Sequence, residues 1–208
     1  MLVIGLTGSI GMGKSTAARR FCENGVAVLD ADAVVHGLYE GKAVPLIEEA
    51  FPGTTVGGKV DRQALAQALI GNQESFARLE QIVHPLVGAE ERVFLQQQAS
   101  EGAEMAVLEI PLLFETGRSE RVDVIVVVSA KPEQQRERVL SRPGMTEDKL
   151  DNLLARQLSD GEKRARADFV VDTSGPVESS AHQIDMIIES LKGQSGAAHE
   201  RWWTKAPE

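Results

Sequence analysis

Gly8-Ser9-Ile10-Gly11-Met12-Gly13-Lys14-Ser15-Thr16 decides how this chain of 208 residues is read. The stretch fits G-x-x-x-x-G-K-[ST], a phosphate-binding loop. Its glycines let the backbone turn tightly, so that several N–H groups point into one concavity. The helix that follows directs the positive end of its dipole at the same point. Lys14 adds a full charge for the β- and γ-phosphates, and the Ser15 hydroxyl is placed to hold Mg²⁺. Gly8, Gly11, Met12, Gly13, Lys14, Ser15 and Thr16 are the expected contacts of a nucleoside triphosphate. The flanks fit the motif. Leu2-Val3-Ile4-Gly5-Leu6 is an apolar run suited to a strand. Lys14 to Glu23 reads as a helix with Ala17, Ala18, Phe21 and Cys22 at inward spacing and Gly25 as its stop.

Bulk composition narrows the class. With 42% hydrophobic and 25% charged residues, the chain has the make-up of a globular protein with one sizeable core. A net charge of −9 argues against nucleic acid as the main partner. The single cysteine, Cys22, cannot form an intrachain disulfide and reads as a small buried hydrophobe. The N-terminus enters a strand at once, without the basic and apolar regions of a signal peptide, and no apolar run reaches the ~18 residues of a membrane span. A cytoplasmic protein is expected, with no membrane partner and a monomeric or small homo-oligomeric state.

After the phosphate loop, Val26-Ala27-Val28-Leu29 ends in Asp30-Ala31-Asp32, so strand, helix and strand make one βαβ unit. Open parallel sheets bind ligands outside the carboxyl ends of their strands, which makes Asp30 and Asp32 site candidates. One of the two also suits the cap of the following helix, Ala33 to Glu40. Spacing alone does not say which acid caps and which has a chemical role. A helical pattern then runs to about Gly102, with Pro85 at the first turn of one helix and His84 before it. An insert at about 33–102 exceeds a simple crossover and suits a subdomain that holds a second substrate.

Met105 to Ile110, Val122 to Val128 and Phe169 to Val171 supply three more strands. The expected fold is α/β: a five-stranded parallel sheet flanked by helices, with a helical substrate-binding insert and a helical lid. The core is expected at 1–32, 103–137 and 167–192, and the lid at about 138–166. Residues 193–208, including Trp202-Trp203, read as a frayed, disordered tail.

Transfer of a phosphoryl group needs positioning, charge neutralisation, Mg²⁺ and often a base at the acceptor. Glu109, closing the third strand, is either a second acidic helper of the metal or a strand-end residue facing solvent. Arg136, Arg138 and Arg142 precede a Pro-Gly turn. Arg138 and Arg142 share a helix face and suit a lid over phosphates, the alternative being a solvated charged helix. A lone His84 suits a structural role, and no His or Cys spacing indicates zinc. A regulatory GTPase needs a guanine-reading loop after the fourth strand, where this chain has Ser129-Ala130-Lys131-Pro132. A passive nucleotide-binding module has no use for the acid pair or the arginines. A kinase for a small molecule fits best.

The chain resembles the dephospho-coenzyme A kinase family. The resemblance is carried by Ile4 to Ser15, Asp30-Ala31-Asp32, His84-Pro85-Leu86, Pro111-Leu112-Leu113-Phe114-Glu115, Arg138 with Arg142, Gln157, and Ala167 to Asp172. These pieces follow in order from residue 1 to about 192. The resemblance implies ATP-dependent phosphorylation of the ribose 3′-hydroxyl of dephospho-coenzyme A, with Mg²⁺, in the last step of coenzyme A synthesis. It implies Asp32 as base, and Lys14 and Arg138 as stabilisers of the transferring charge. It places Arg142 and the segment from Asp172 to Gly175 against ATP, and gives Thr7, Asp30, Asp32, His84 and Leu113 as acceptor contacts. The alternative is another small acceptor, such as a nucleoside or nucleotide. Two departures from the family pattern are Ser9 and Met12 at variable loop positions. A third is Glu109 where the family often has Asp.

Overall fold

The computed structural model describes residues 1–204 and divides the chain into two compact units, Met1–Leu29 with 95–204, and Asp30–Phe94. The first is built on a five-stranded parallel sheet in the order β2-β5-β1-β6-β7. Its strands are β1 (Leu2–Thr7), β2 (Ala27–Asp30), β5 (Met105–Glu109), β6 (Val124–Ser129) and β7 (Phe169–Asp172). β1 is central, paired in parallel with β5 through Ile4↔Val107 and with β6 through Leu6↔Val126. Every residue of β1 and β5 is buried. That suits a sheet covered on both faces, where strands read as continuous apolar runs rather than alternating ones. Connections run to one side of β1 for β2 and to the other for β6 and β7. The chain leaves β1 where the topology reverses, which is where open α/β sheets bind ligands.

Two helices cover one face. α1 (Lys14–Glu23) turns Ala17, Ala18 and Phe21 inward, and α9 (Val177–Leu191) turns in Ile184, Ile187, Ile188 and Leu191. Arg20 joins them through a two-point pair with Asp185, at 2.6 and 2.8 Å. Cys22 is exposed rather than buried, because the inward stripe of α1 passes through 17, 18 and 21 and leaves 22 at its solvent edge.

The second unit is helical. It holds α2 (Ala31–Leu38), α3 (Val44–Ala50), α4 (Arg62–Leu69) and the first part of α5 (Gln73–Ser100). The Gly-rich connection contains a small hairpin, β3 (Thr55–Val56) against β4 (Lys59–Val60), turned by Gly57-Gly58. Its core is formed by Leu38, Ile47, Phe51, Leu65, Leu69, Val83 and Val87. α5 is one helix of 28 residues with Pro85 inside it, not two helices with Pro85 at a start. Asn72 begins it by accepting from the Ser75 N–H, and the helix continues through Pro85 without the bond its missing N–H would give to residue 81. The expected insert, about 33–102, differs in bounds from this unit because the C-terminal turns of α5 belong to the first unit.

The remaining helices are α6 (Pro132–Leu140), α7 (Glu147–Leu154) and α8 (Asp160–Arg164). Thr146 caps α7, and Ser159 with Glu162 forms a capping box on α8. No helix among the described residues is long and apolar enough to cross a membrane.

The tail departs most from the sequence reading. His199–Trp203 forms a π-helical turn, and Trp203 is 1% exposed. Its indole N–H donates to the Arg121 carbonyl (3.0 Å), and its own carbonyl accepts from Gln96 (3.1 Å). Asp123 receives the N–H groups of Ala197 and Ala198 at 2.7 and 2.8 Å, while Trp202 lies beside Arg121 and Arg201. The segment has no periodicity to read, since a single indole and one carboxylate hold it. Residues 205–208 of the expected disordered tail lie outside the described residues. Trp203→Ala should cost about 3–5 kcal/mol, lowering Tm by roughly 6–20 °C. Deleting residues 194–208 should do the same, and a thermal melt with unchanged Tm would contradict the docked tail.

Candidate active site

The loop after β1 is shaped by what surrounds its glycines. Gly8 has φ 152°, and a Cβ there would stand 2.5 Å from the Val128 carbonyl oxygen. Gly11, at φ 78°, passes so close to α6 that a Cβ would lie 2.5 Å from the Val139 side chain. Only glycine allows this path. Gly13 then caps α1 in a left-handed conformation, with no side-chain cap and no acid in the first turn. The positive end of a ten-residue helix is therefore left to a ligand.

The walls of this site come from distant segments. A cavity of about 380 Å³ is lined by Gly11 and Gly13 to Thr16 of the loop, Arg138 and Arg142 from α6 and its end, and Thr173, Gly175, Val177 and Ser180 after β7. Lys14 Nζ donates to the Gly8 carbonyl at 2.9 Å, holding its charge over the loop. Ser15 and Thr16 open on the same space. Arg138 donates to the Thr173 carbonyl (2.6 Å) and hydroxyl (3.2 Å), with a longer contact to the Gly11 carbonyl (3.5 Å). These bonds fix the guanidinium and leave other N–H groups of its five for a ligand.

Thr173 was not singled out by sequence. It is 7% exposed, and its hydroxyl donates to the Met12 carbonyl at 2.8 Å. Its own N–H reaches Ser129. The only signal was its place between Asp172 and Gly175, two residues expected at the nucleotide. Gly175 does line the cavity. Asp172 does not. It lines a neighbouring hollow of about 540 Å³ with Lys131, Asp160 and Arg164. The Ser174 hydroxyl, and after it the Ser174 N–H that the Asp172 carboxylate accepts at 2.8 Å, hold the Asp172 pKa below the usual range, and the N–H bond shapes the turn. Met12, a variable loop position, is 2% exposed and accepts the Ala130 N–H on its sulfur at 3.0 Å. Its side chain therefore belongs to the core and its backbone to the loop.

The expected acceptor contacts separate. Thr7 is fully buried and donates to the Pro111 carbonyl at 3.2 Å. Leu113 is fully buried in the region where a Cβ on Gly5 would meet it at 3.0 Å. Both are supports inside the protein rather than surfaces a ligand reaches. Glu109 is 6% exposed, so it does not face solvent. His84 lies exposed within α5 rather than at a helix start.

Asp30 caps α2, accepting the N–H groups of Asp32 (2.8 Å) and Ala33 (3.2 Å) on one oxygen. Of the two acids, Asp30 is therefore the one that caps. Asp32 instead lines a hollow of about 460 Å³ within the second unit, with Val35, Tyr39, Arg62, Leu65, Ala66, Leu69 and Leu79. Arg62 lies 5.6 Å from the centre of the Tyr39 ring. Burial raises the Tyr39 pKa, so the phenol stays neutral at ordinary pH. Tyr39 and Arg62 were not read from sequence. Their spacing to Asp32 is not regular along the chain and arises from the packing of α4 on α2.

Comparisons with known proteins agree with this fold. The sequence pattern of a family described as dephospho-CoA kinase matches residues 2–179. An Agrobacterium fabrum protein named dephospho-CoA kinase is 59% identical over 191 residues, covering 92% of this chain and 98% of that protein. A Thermus thermophilus protein of solved structure superposes with a TM-score of 0.80 at 34% identity, over 92% of this chain and 98% of that one. A dephospho-CoA kinase from Campylobacter jejuni has the same fold, with a TM-score of 0.61 at 22% identity over 91% and 96% of the two chains.

Lys14→Ala should lower ATP turnover by ~10²–10³-fold, the usual effect of removing one preorganised charge from a transition state. Steady-state kinetics that retain turnover would remove Lys14 from the chemistry.

Proposed function

The chain belongs to the dephospho-CoA kinase family, and from that membership we propose how its residues divide the reaction. The activity is ATP-dependent phosphorylation of dephospho-coenzyme A, the final step of coenzyme A biosynthesis. The accepting group is the ribose 3′-hydroxyl. Donor residues lie in the first unit. The loop N–H groups and the N-terminus of α1 receive the phosphates. Lys14 and Arg138 neutralise charge on the transferring phosphoryl group. Arg142 adds a further cation at the cavity wall, and Gly175 with its neighbours borders the nucleoside.

Acceptor residues lie in the second unit. The observation that carries this reading is that Asp30, not Asp32, caps α2, while Asp32 lines the hollow beside Tyr39 and Arg62. Asp32 takes the proton from the 3′-hydroxyl as that oxygen attacks phosphorus. The apolar Leu65, Leu69 and Leu79, lining the same hollow as Tyr39 and Arg62, suit a flat base or an alkyl chain of the acceptor.

Mg²⁺ fits the donor set. Ser15 offers a hydroxyl on the cavity, and Mg²⁺ in such sites takes few protein ligands, keeping water and phosphate oxygens for the rest. No group of three or more His, Cys, Asp or Glu side chains able to hold a metal occurs among the described residues, so a cage made by protein alone is not the arrangement. When bound, the ion supplies charge neutralisation on the phosphates. The family's activity and the lack of a membrane-spanning helix among the described residues fit a cytoplasmic enzyme.

Asp32→Asn should lower kcat by ~10²-fold or more, as loss of a general base does, with the affinity for ATP largely kept. Asp30→Asn, which keeps a capping oxygen, should retain most turnover. If kcat is unchanged in Asp32→Asn, or is lost instead in Asp30→Asn, the assignment of the base fails.

A further inference from the structure

Lys163 sits on α8, a helix of five residues, and is 0% exposed. Its ammonium lies 2.9 Å from Glu115 Oε1, on a side chain 14% exposed. A lysine buried this completely is costly unless it is paired. The same Glu115 oxygen accepts the Leu158 N–H at 2.9 Å. Burial pushes the Glu115 carboxyl up, but Lys163 and the backbone N–H groups outweigh it and hold it below the ordinary range. Two further contacts fasten the same place. Ser129 donates to Asp160 at 2.7 Å, and Arg166 lies 5.9 Å from the Phe114 ring centre.

The loop that carries Glu115 also bears on the phosphate site. Its first residue, Pro111, accepts the Thr7 hydroxyl at the end of β1. One short loop after β5 therefore touches both the end of β1, which launches the phosphate loop, and the base of α8. On the other side, Arg138 ties α6 to Thr173. Between these two fastenings lie Arg142, α7 and Arg156. Arg136 links α7 back to α6 through Glu147 and Asp151.

We propose that the Glu115–Lys163 ion pair is the fixed post on which segment 142–158 hinges, making both residues positioning residues for the arginines it carries. This rests on the kinase reading. The moving part is then shorter than the expected lid of 138–166. α8 is too short to hold its place by helix propensity, so the ion pair and the Leu158 bond set where the lid rejoins the sheet. A shift of about 1 Å at such a point is enough to cost ~10²-fold in rate.

Single substitutions leave one buried charge unpaired and report mainly on folding. The informative variant is Glu115→Leu/Lys163→Met, which removes both charges and keeps the volume. Its Tm should fall only by what the Leu158 N–H loses with its acceptor. Its kcat with dephospho-coenzyme A should fall ~10-fold or more. The share of ATP hydrolysed without acceptor phosphorylation should rise, because a misplaced lid admits water. Hydrogen exchange across 142–158, with a non-hydrolysable ATP analogue bound, should be at least ~10-fold faster than in the unmodified protein. Unchanged kcat, coupling and exchange would overturn the proposal. So would a lowered Tm with unchanged kcat per folded molecule. If the unmodified protein does not phosphorylate dephospho-coenzyme A, the kinase reading fails, while the exchange comparison still decides the hinge.

Discussion

One hydroxyl links the parts of the donor site. Thr173 gives its proton to the Met12 carbonyl, while Arg138 bonds both its hydroxyl and its carbonyl. The phosphate loop, the end of β7 and α6 meet there. The loop needs this external hold because its glycines, which permit its path, give it no rigidity of their own. Gly8 and Gly11 are pressed against β6 and α6 with no room for a Cβ, so the loop is cast by its neighbours. Preorganisation of this kind matters for phosphoryl transfer, where the protein mainly positions groups and supplies charge. An arginine already fixed by backbone and hydroxyl acceptors loses little freedom when phosphate arrives.

The same economy recurs around the sheet. Asp123 gathers the N–H groups of Val3, Ala197 and Ala198 and so ties β1 to the tail. Asp30 holds the start of α2, and Glu115 holds Lys163 and Leu158. Each carboxylate satisfies backbone or cationic groups, some of them exposed, as at Asp30, and some buried, as at Lys163. The acids at these joints are structural. In the proposed reaction the chemistry is left to Asp32, two residues beyond the capping Asp30.

Much of this was legible in the sequence because it rests on local pattern. Continuous apolar runs gave the strands, and the glycine spacing gave the loop. Other features depend on contacts far apart along the chain. Which acid of Asp30-Ala31-Asp32 caps is decided by backbone direction at the strand end. Pro85 looks like a helix start, but the apolar stripe through Leu79, Ile82, Val83 and Leu86 carries the helix past it. Trp203 looked frayed because nothing near it in sequence is periodic, yet Arg121 and Gln96 receive it. Thr7 and Leu113 have the right address for acceptor contacts, but both turn into the protein. Tyr39 and Arg62 flank the hollow beside Asp32 only because α2 and α4 pack together.

The central claim is that this site phosphorylates the 3′-hydroxyl of dephospho-coenzyme A. Its most direct test offers ATP and Mg²⁺ with dephospho-coenzyme A, pantothenate, shikimate and nucleoside monophosphates in separate reactions. ADP release is followed, and phosphorus NMR locates the new phosphate. Dephospho-coenzyme A alone should give ADP and product in equal amounts, with the phosphate on the ribose 3′-oxygen. Faster turnover of a monophosphate, or a phosphate placed elsewhere on the acceptor, would contradict the account.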